Sequence, residues 1–328
     1  MTAGIFDYLL ISVLVVLAWQ MLHAKDLFTG IVLYMVFGLL MAVAWIQLNA
    51  PDIALVEAAI GSGLIGAFFL GVLGRLEDKS AALNDTEKVT AVSENWKNRL
   101  FTGLCVILGT LLAGSILVLP RHSPGLSVKV NEAMAQSGVN NPVTAVILNF
   151  RAYDTLLEIG VLLLAALAVG ALVRFDLIKP RKVIAASRLL DAFVHIVVPF
   201  MILIGGYLLW AGSDLPGGAF QAGAIFSGAG VLALLAGTPI RLDIREIWLR
   251  TALAVGFLTF LMVGVLVMTN NRNFLDYPAE SAKYLILLIE ALATVSITAI
   301  FIYLFAVCAG FLRNEPLSGT RAREGSKK

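Results

Sequence analysis

Nine runs of apolar residues, each close to the roughly 20 needed to cross the hydrocarbon core of a bilayer, restrict what this chain can fold into. They lie at residues 4–23, 27–48, 52–74, 100–119, 152–174, 190–211, 218–237, 248–268 and 283–311. The chain is 59% hydrophobic and 14% charged, whereas a globular domain in water carries about 25% charged residues. There is too little polar surface to coat a water-soluble body. The runs predict an all-α polytopic membrane bundle of about nine transmembrane helices. Between the second and third, Asn49, Ala50, Pro51 and Asp52 read as a tight turn, with proline disfavouring helix before it and Asp52 placed to cap the next helix.

The basic residues orient the bundle. With the N-terminus outside, 19 of the 24 Lys and Arg residues fall on the cytoplasmic side, the exceptions being Arg121, Lys129, Arg151, Arg272 and Lys283. This bias predicts an outer N-terminus and a cytoplasmic C-terminus. The first run lacks a basic leader and a small-residue cleavage site, so residues 1–24 are expected to stay in the mature protein. Basic residues scattered among short loops argue against nucleic-acid binding. Cys105 and Cys308 have no CxxC spacing and read as packing residues. Residues 75–99 read as a solvated cytoplasmic helix or linker, and 120–150, with Pro120, Pro124, Gly125, Gly138 and Pro142, as an irregular outer segment. Neither is large enough for a catalytic domain, and no metal or cofactor is expected. The lack of long repeats and of paired interrupted helices speaks against a self-contained carrier.

Ionisable residues inside spans are costly in lipid and therefore informative. Glu57 stands five residues beyond Asp52 on the third span, roughly 7 Å along the helix. The small residues Ala59, Gly63, Ala67 and Gly71 form a stripe on another face, so both faces call for protein neighbours that one bundle would not supply. Arg151, Asp154 and Glu158 share a helix face by their spacing of three and four, which lets Arg151 pair with Asp154 while Glu158 lies deeper. Glu290 has no basic residue within a turn of its own helix, which makes it a candidate proton carrier or cation ligand. His195 enters from the opposite side and reads either as a proton-transfer group or as a helix–helix hydrogen bond. Glu57, Asp154, Glu158, Glu290, His195 and Asp52 are thus the candidate ion-path residues. The segment Ser213–Gly223 carries Pro216, Gly217 and Gly218 ahead of a helix, a turn whose amides could face an ion or simply let two helices pack closely.

In order along the chain, these stretches resemble one family. WIQLNAPDIALVEAAIGSGL, Trp45 to Leu64, resembles the segment near the C-terminus of the A-type chain of Mrp-type Na+/H+ antiporters, also found as the MbhD component of membrane-bound hydrogenases. VILNFRAYDTLLEIGVLLLAALAV, Val146 to Val169, resembles the MbhE segment that follows it. RLLDAFVHIVVPFMILIGGYLL and SDLPGGAFQAG, from about residue 184 onward, are similar to MnhB, the B-type chain of the same antiporters. The domains expected are therefore 1–80 (MbhD-like, three helices), 81–183 (MbhE-like, two helices with a cytoplasmic linker) and 184–328 (MnhB-like, four helices).

The resemblance implies a multi-pass subunit in the inner membrane of a prokaryote, within a multisubunit antiporter related to the membrane arm of complex I. It implies Na+ and H+ as the transported ions and membrane lipid as the solvent, with other subunits as partners. Because the A-type segment normally follows a large antiporter-like domain and here leads into an MnhB-like module, that large domain is expected on a separate partner chain. The resemblance matches Glu57, Asp154 and Glu158 to acidic positions, and Pro216, Gly217, Gly218, Phe220 and Gln221 to the MnhB signature, as structural or orienting residues together with Arg151. Ala219 stands where the signature has glycine. Alternatives left open are a membrane-anchor or ion-translocating component of a redox-driven pump, such as a membrane-bound hydrogenase, and a purely structural scaffold.

Overall fold

The computed structural model describes residues 4–82, 95–119, 125–174, 188–238, 242, 246–269 and 272–311. Among them the regular structure is entirely helical: α1 (Ile5–Leu22), α2 (Leu27–Gln47), α3 (Pro51–Val56), α4 (Ile65–Ala82), α5 (Asn95–Val118), α6 (Ser127–Ser137), α7 (Pro142–Ala145), α8 (Ala152–Arg174), α9 (Arg188–Ala211), α10 (Ala219–Leu235), α11 (Ile247–Met268) and α12 (Ala282–Ala309). Two π-helical segments, Glu57–Leu64 and Val146–Phe150, follow α3 and α7. Eight helical stretches among the described residues are long and apolar enough to cross a membrane, α3 and α4 counting as one span from Pro51 to Leu76. The ninth run is α10, with 17 residues and so about 25 Å long.

The chain divides into two compact units, one of residues 1–77 and 134–328, the other of residues 78–133. In the larger unit α12 is the axis, packed against α8, α10 and α11. Ile286, Ile289, Ala293, Ile297 and Ile300 are all buried, and their spacing of three and four keeps them on one stripe of the helix. Close approach comes from glycine. A methyl group at Gly256 of α11 would lie 2.9 Å from the Ala293 Cα, and one at Gly223 of α10 would lie 2.8 Å from Ile297. Ser296 donates from within this contact to the Leu253 carbonyl of α11. Small residues thus let dispersion contacts and an interhelical hydrogen bond hold the helices where lipid supplies no hydrophobic drive.

In the smaller unit α5 exposes Phe101, Leu104, Ile107, Leu108, Leu111 and Leu112 around its circumference. Two of its hydroxyls are satisfied within the helix, Thr110 on the Val106 carbonyl at 2.7 Å and Ser115 on the Leu111 carbonyl at 2.8 Å, which removes the cost of these polar groups in hydrocarbon.

Alternation of the crossings is visible in the larger unit. At one end, Gly217 meets Asp52, Asn140 and Asn141 both donate backbone N–H groups to the Ser213 carbonyl, and Gly138 abuts Ala282. At the other end, Arg75 donates to the Val307 and Cys308 carbonyls at 2.8 and 3.2 Å. A cation on the last carbonyls of a helix satisfies free acceptors and opposes the dipole.

Two expectations change. The outer segment is not irregular where it is described: α6 forms from SVKVNEAMAQS, rich in good helix formers, and Gly138 ends it at φ +77. Asn141 caps α7 by accepting from the Val143 amide, with Pro142 at the first helical position, where its missing N–H costs nothing. The segment 75–99, expected as a helix or linker, is helical to Ala82 and again from Asn95, while 83–94, like Pro120, Pro124, the domain boundary near 183 and the basic tail from Arg313, lies outside the described residues. The third span is a composite, with π geometry where a plain α-helix was expected.

A buried acid pair on a glycine turn

Three successive amides after Pro216 donate to three different elements. The Gly217 N–H donates to Asp52 Oδ1 of α3 at 2.9 Å, the Gly218 N–H to the Leu208 carbonyl of α9 at 2.9 Å, and the Ala219 N–H to the Glu290 carboxylate of α12. The turn needs glycine for two separate reasons. A side chain at Gly217 would strike the Leu208 carbonyl oxygen. Gly218 sits at φ +122, a left-handed conformation costly to any residue with a Cβ, and a methyl there would lie 2.9 Å from Glu290 Oε1. Ala219 fits without strain, because it is the first residue of α10.

Asp52 is 5% exposed and Glu290 2%. Asp52 does not cap its own helix as expected; its carboxylate crosses to the glycine turn 165 residues away in sequence. Gln221 lies between the two acids, its amide nitrogen 3.5 Å from the Asp52 carbonyl and its Oε1 near Gly218. Of the two glycine amides that were candidates for facing an ion, Gly218 faces a backbone carbonyl and Gly217 a carboxylate. Backbone N–H groups at a helix start are suited to that, because the orphan donors and the dipole both favour negative charge.

Beside Glu290 is a cavity of about 10 Å³, lined by Ile147, Leu148, Thr155, Ile159, Phe220 and Ala293 together with Gly217, Gly218, Ala219, Gln221 and Glu290. Its α7–α8 wall is the second π-helical segment, where Thr155 donates to the Ile147 carbonyl at 2.6 Å and so satisfies an acceptor that the altered helix pattern sets apart. Asn141 ties the same wall to the turn, donating to the Leu215 carbonyl at 2.9 Å. Thr155, Asn141 and the Ala219 amide were not singled out from sequence. An asparagine directly before a proline at a helix start was the one available signal.

The other candidates lie elsewhere. Glu57 opens the first π-helical segment and folds back over Gly61 beside Gly38 of α2, where added methyl groups would overlap or crowd its Oε1. Tyr34 stands one turn before Gly38 on α2. The opposite stripe packs inside the same chain: Ala59 and Ala67 join the core and Gly71 abuts Ala309 of α12. Both faces of this span thus find neighbours within the one bundle, contrary to expectation, because α2 covers one and α10 and α12 the other. Arg151 and Asp154 pair at 2.5 Å on the outer face of α8, 68% and 51% exposed. Glu158 is on that exposed side as well. His195 faces outward, its Nδ1 2.8 Å from the Asp191 carbonyl one turn back; it serves no contact between helices.

At the loop end, Asp214 accepts from Ser213 Oγ at 2.8 Å and from Asn140 Nδ2 at 2.5 Å. The Ser213 hydroxyl, then the Asn140 amide, hold its carboxyl below the usual aspartate range. Tyr277 in the loop before α12 is pushed the other way by burial.

Three family models match the chain in series: MbhD, the D component of MBH, over residues 12–78, MbhE, the E component of MBH, over 101–187, and a domain related to the MnhB subunit of Na+/H+ antiporter over 189–313. A probable K+/H+ antiporter A/B subunit of Rhizobium meliloti (strain 1021) is 26% identical over 196 residues, which are 51% of this chain and 19% of that protein. The chain therefore spans about a fifth of that relative's length. The fold is shared with a chain of the Mrp complex from Dietzia sp. DQ12-45-1b, with TM-score 0.74 and 21% identity over 96% of this chain and 36% of the other. It is shared in part with a chain of the membrane-bound sulfane sulfur reductase, an archaeal respiratory membrane complex, with TM-score 0.52 and 21% identity over 66% of this chain and 98% of the other.

Proposed function

From a chain that joins MbhD, MbhE and MnhB domains in series, and so is a fusion of the Mrp antiporter type, we propose a membrane subunit of a multisubunit monovalent cation/proton antiporter. Its buried carboxylates border the ion path. The observation that carries this reading is the glycine turn: Asp52 comes from the MbhD match, Thr155 from the MbhE match, and Gly217, Gly218 and Glu290 from the MnhB match, all on one buried site. An acid buried well inside a span, as Glu290 is eight residues into α12, is expensive and is held where ions or protons pass. The end bearing the turn faces outward on our reading of the charge bias, with the C-terminus in the cytoplasm. The three domains divide near residues 80 and 183.

Further subunits complete the machine, including a large antiporter-like chain. Glu158, exposed on a membrane-spanning face without a hydrogen bond or ion pair among the described residues, is where we place one of them. Catalysis of bond chemistry is not part of this reading; the chain works as one component of a transporter complex. The test is antiport in inverted vesicles containing the whole complex. Glu290→Gln and Asp52→Asn should assemble and lose about a hundredfold in rate, as removal of a proton-transfer group does. Assembled variants that transport at the wild-type rate would overturn the reading. A redox-driven pump is the second reading, favoured by the fold shared with the archaeal respiratory chain; iron–sulfur chains in the purified complex would decide for it.

A further inference from the structure

Among the described residues, Glu290 Oε2 is buried without a hydrogen-bond partner, in a side chain only 2% exposed. An ionised carboxylate accepts through both oxygens, and a bare one in a dry interior is costly. The carboxylate lines a cavity of about 10 Å³, close to the minimum for one water-sized occupant.

The other polar groups on that lining present oxygen. Gln221 Oε1 and Glu290 Oε1 both lie within 3.5 Å of the point where a Gly218 Cβ would sit. Thr155 gives its proton to the Ile147 carbonyl, which leaves only lone pairs to offer inward. Among the described residues, no Lys, Arg or His lines the cavity. Oxygen donors of this kind suit hard cations, and carbonyl and carboxylate oxygens at interrupted helices hold Na+ in membrane carriers. One positive charge would neutralise Glu290, whereas two would leave a net charge in a medium of low dielectric.

We propose that this cavity is a one-ion site, in which Glu290, Gln221 and Thr155 hold a dehydrated monovalent alkali cation in competition with the proton of Glu290. The assignment rests on the antiporter reading and gives it a place. Sodium and potassium share the chemistry, so both are tested.

The experiment uses the purified complex in detergent and dicyclohexylcarbodiimide, which attacks protonated carboxyl groups in apolar surroundings. Mass spectrometry of the α12 peptide follows labelling of Glu290. NaCl or KCl should slow labelling about tenfold relative to equal choline chloride, once the ion stands at about ten times its dissociation constant. The ion that protects is the one bound. Gln221→Leu and Thr155→Val should lose the protection, each variant in NaCl or KCl being compared with the same variant in choline chloride. Absence of protection by either ion in the wild-type complex, or protection kept by both variants, overturns the proposal. Antiport in vesicles without cation protection sinks this site alone; protection in a complex that carries out no antiport sinks the antiporter reading and leaves the site standing.

Discussion

The glycine-turn site and the outer face of α8 hold acids of the same chemical type in opposite circumstances. Asp52 and Glu290 are sealed in and bound to backbone amides of the same turn; Asp154 and Glu158 stand on an exposed face, Asp154 tied to Arg151. The difference teaches where each acid's partners come from. An acid whose donors are fixed by the chain's own fold is part of the bundle's stability, whereas one on an open membrane face depends on what covers it.

The contrast breaks most sharply at Gly218. Gly218→Val adds a side chain at φ +122 against Glu290, and should cost at least about 3 kcal/mol, seen as loss of the chain from membranes and of a thermal transition in the purified complex. Asp52→Ala leaves the Gly217 amide buried without its acceptor; a drop of about 1–3 kcal/mol is expected, with Asp52→Asn recovering part of it. On the outer face the effects shrink. Arg151→Ala should cost less than about 1 kcal/mol because its ion pair is exposed, and Glu158→Gln should leave the thermal transition in place while weakening co-purification of a neighbouring chain. Large losses of stability from either would show that this face is internal after all.

The smallest effect concerns Asp214. Its carboxyl is held low in the folded chain by Ser213 and Asn140, so its contribution is complete above the ordinary aspartate value of about 3.9 and is lost as pH falls through the lowered folded value. Thermal unfolding followed from about pH 5 down to about pH 3 should therefore show slightly more acid loss in the wild type than in Asp214→Asn.

Much of this fold is legible in the chain because the bilayer sets one length. The expected runs 152–174 and 248–268 correspond to α8, Ala152–Arg174, and α11, Ile247–Met268. The Pro216–Gly217–Gly218 turn is legible too, since only special backbone geometry calls for that triplet. Its contacts are not. Nothing in local sequence says that the Gly217 amide reaches Asp52 or that Gly218 leaves room for Glu290, because those pairings are set by how the helices pack. The π-helical turns at Glu57 and Val146 escape for another reason: a shift from i→i−4 to i→i−5 bonding leaves the apolar pattern nearly unchanged. The expectation that Glu57 and the Gly63 stripe need outside neighbours assumed straight α geometry and overlooked the cover available from α2 and α10. His195 looked like an inward group because its run is apolar, yet α9 turns it away from the core.

The Asp52–Gly217 hydrogen bond has a consequence for dosage. The matched models carry the names of separate proteins, and between separate chains this contact would depend on their concentrations in the membrane. On one polypeptide the halves arrive in equal number, and a tether can hold them at an effective concentration in the millimolar range. Ribosome output thereby fixes the stoichiometry, and a half-built version of the acid pair has no route into existence.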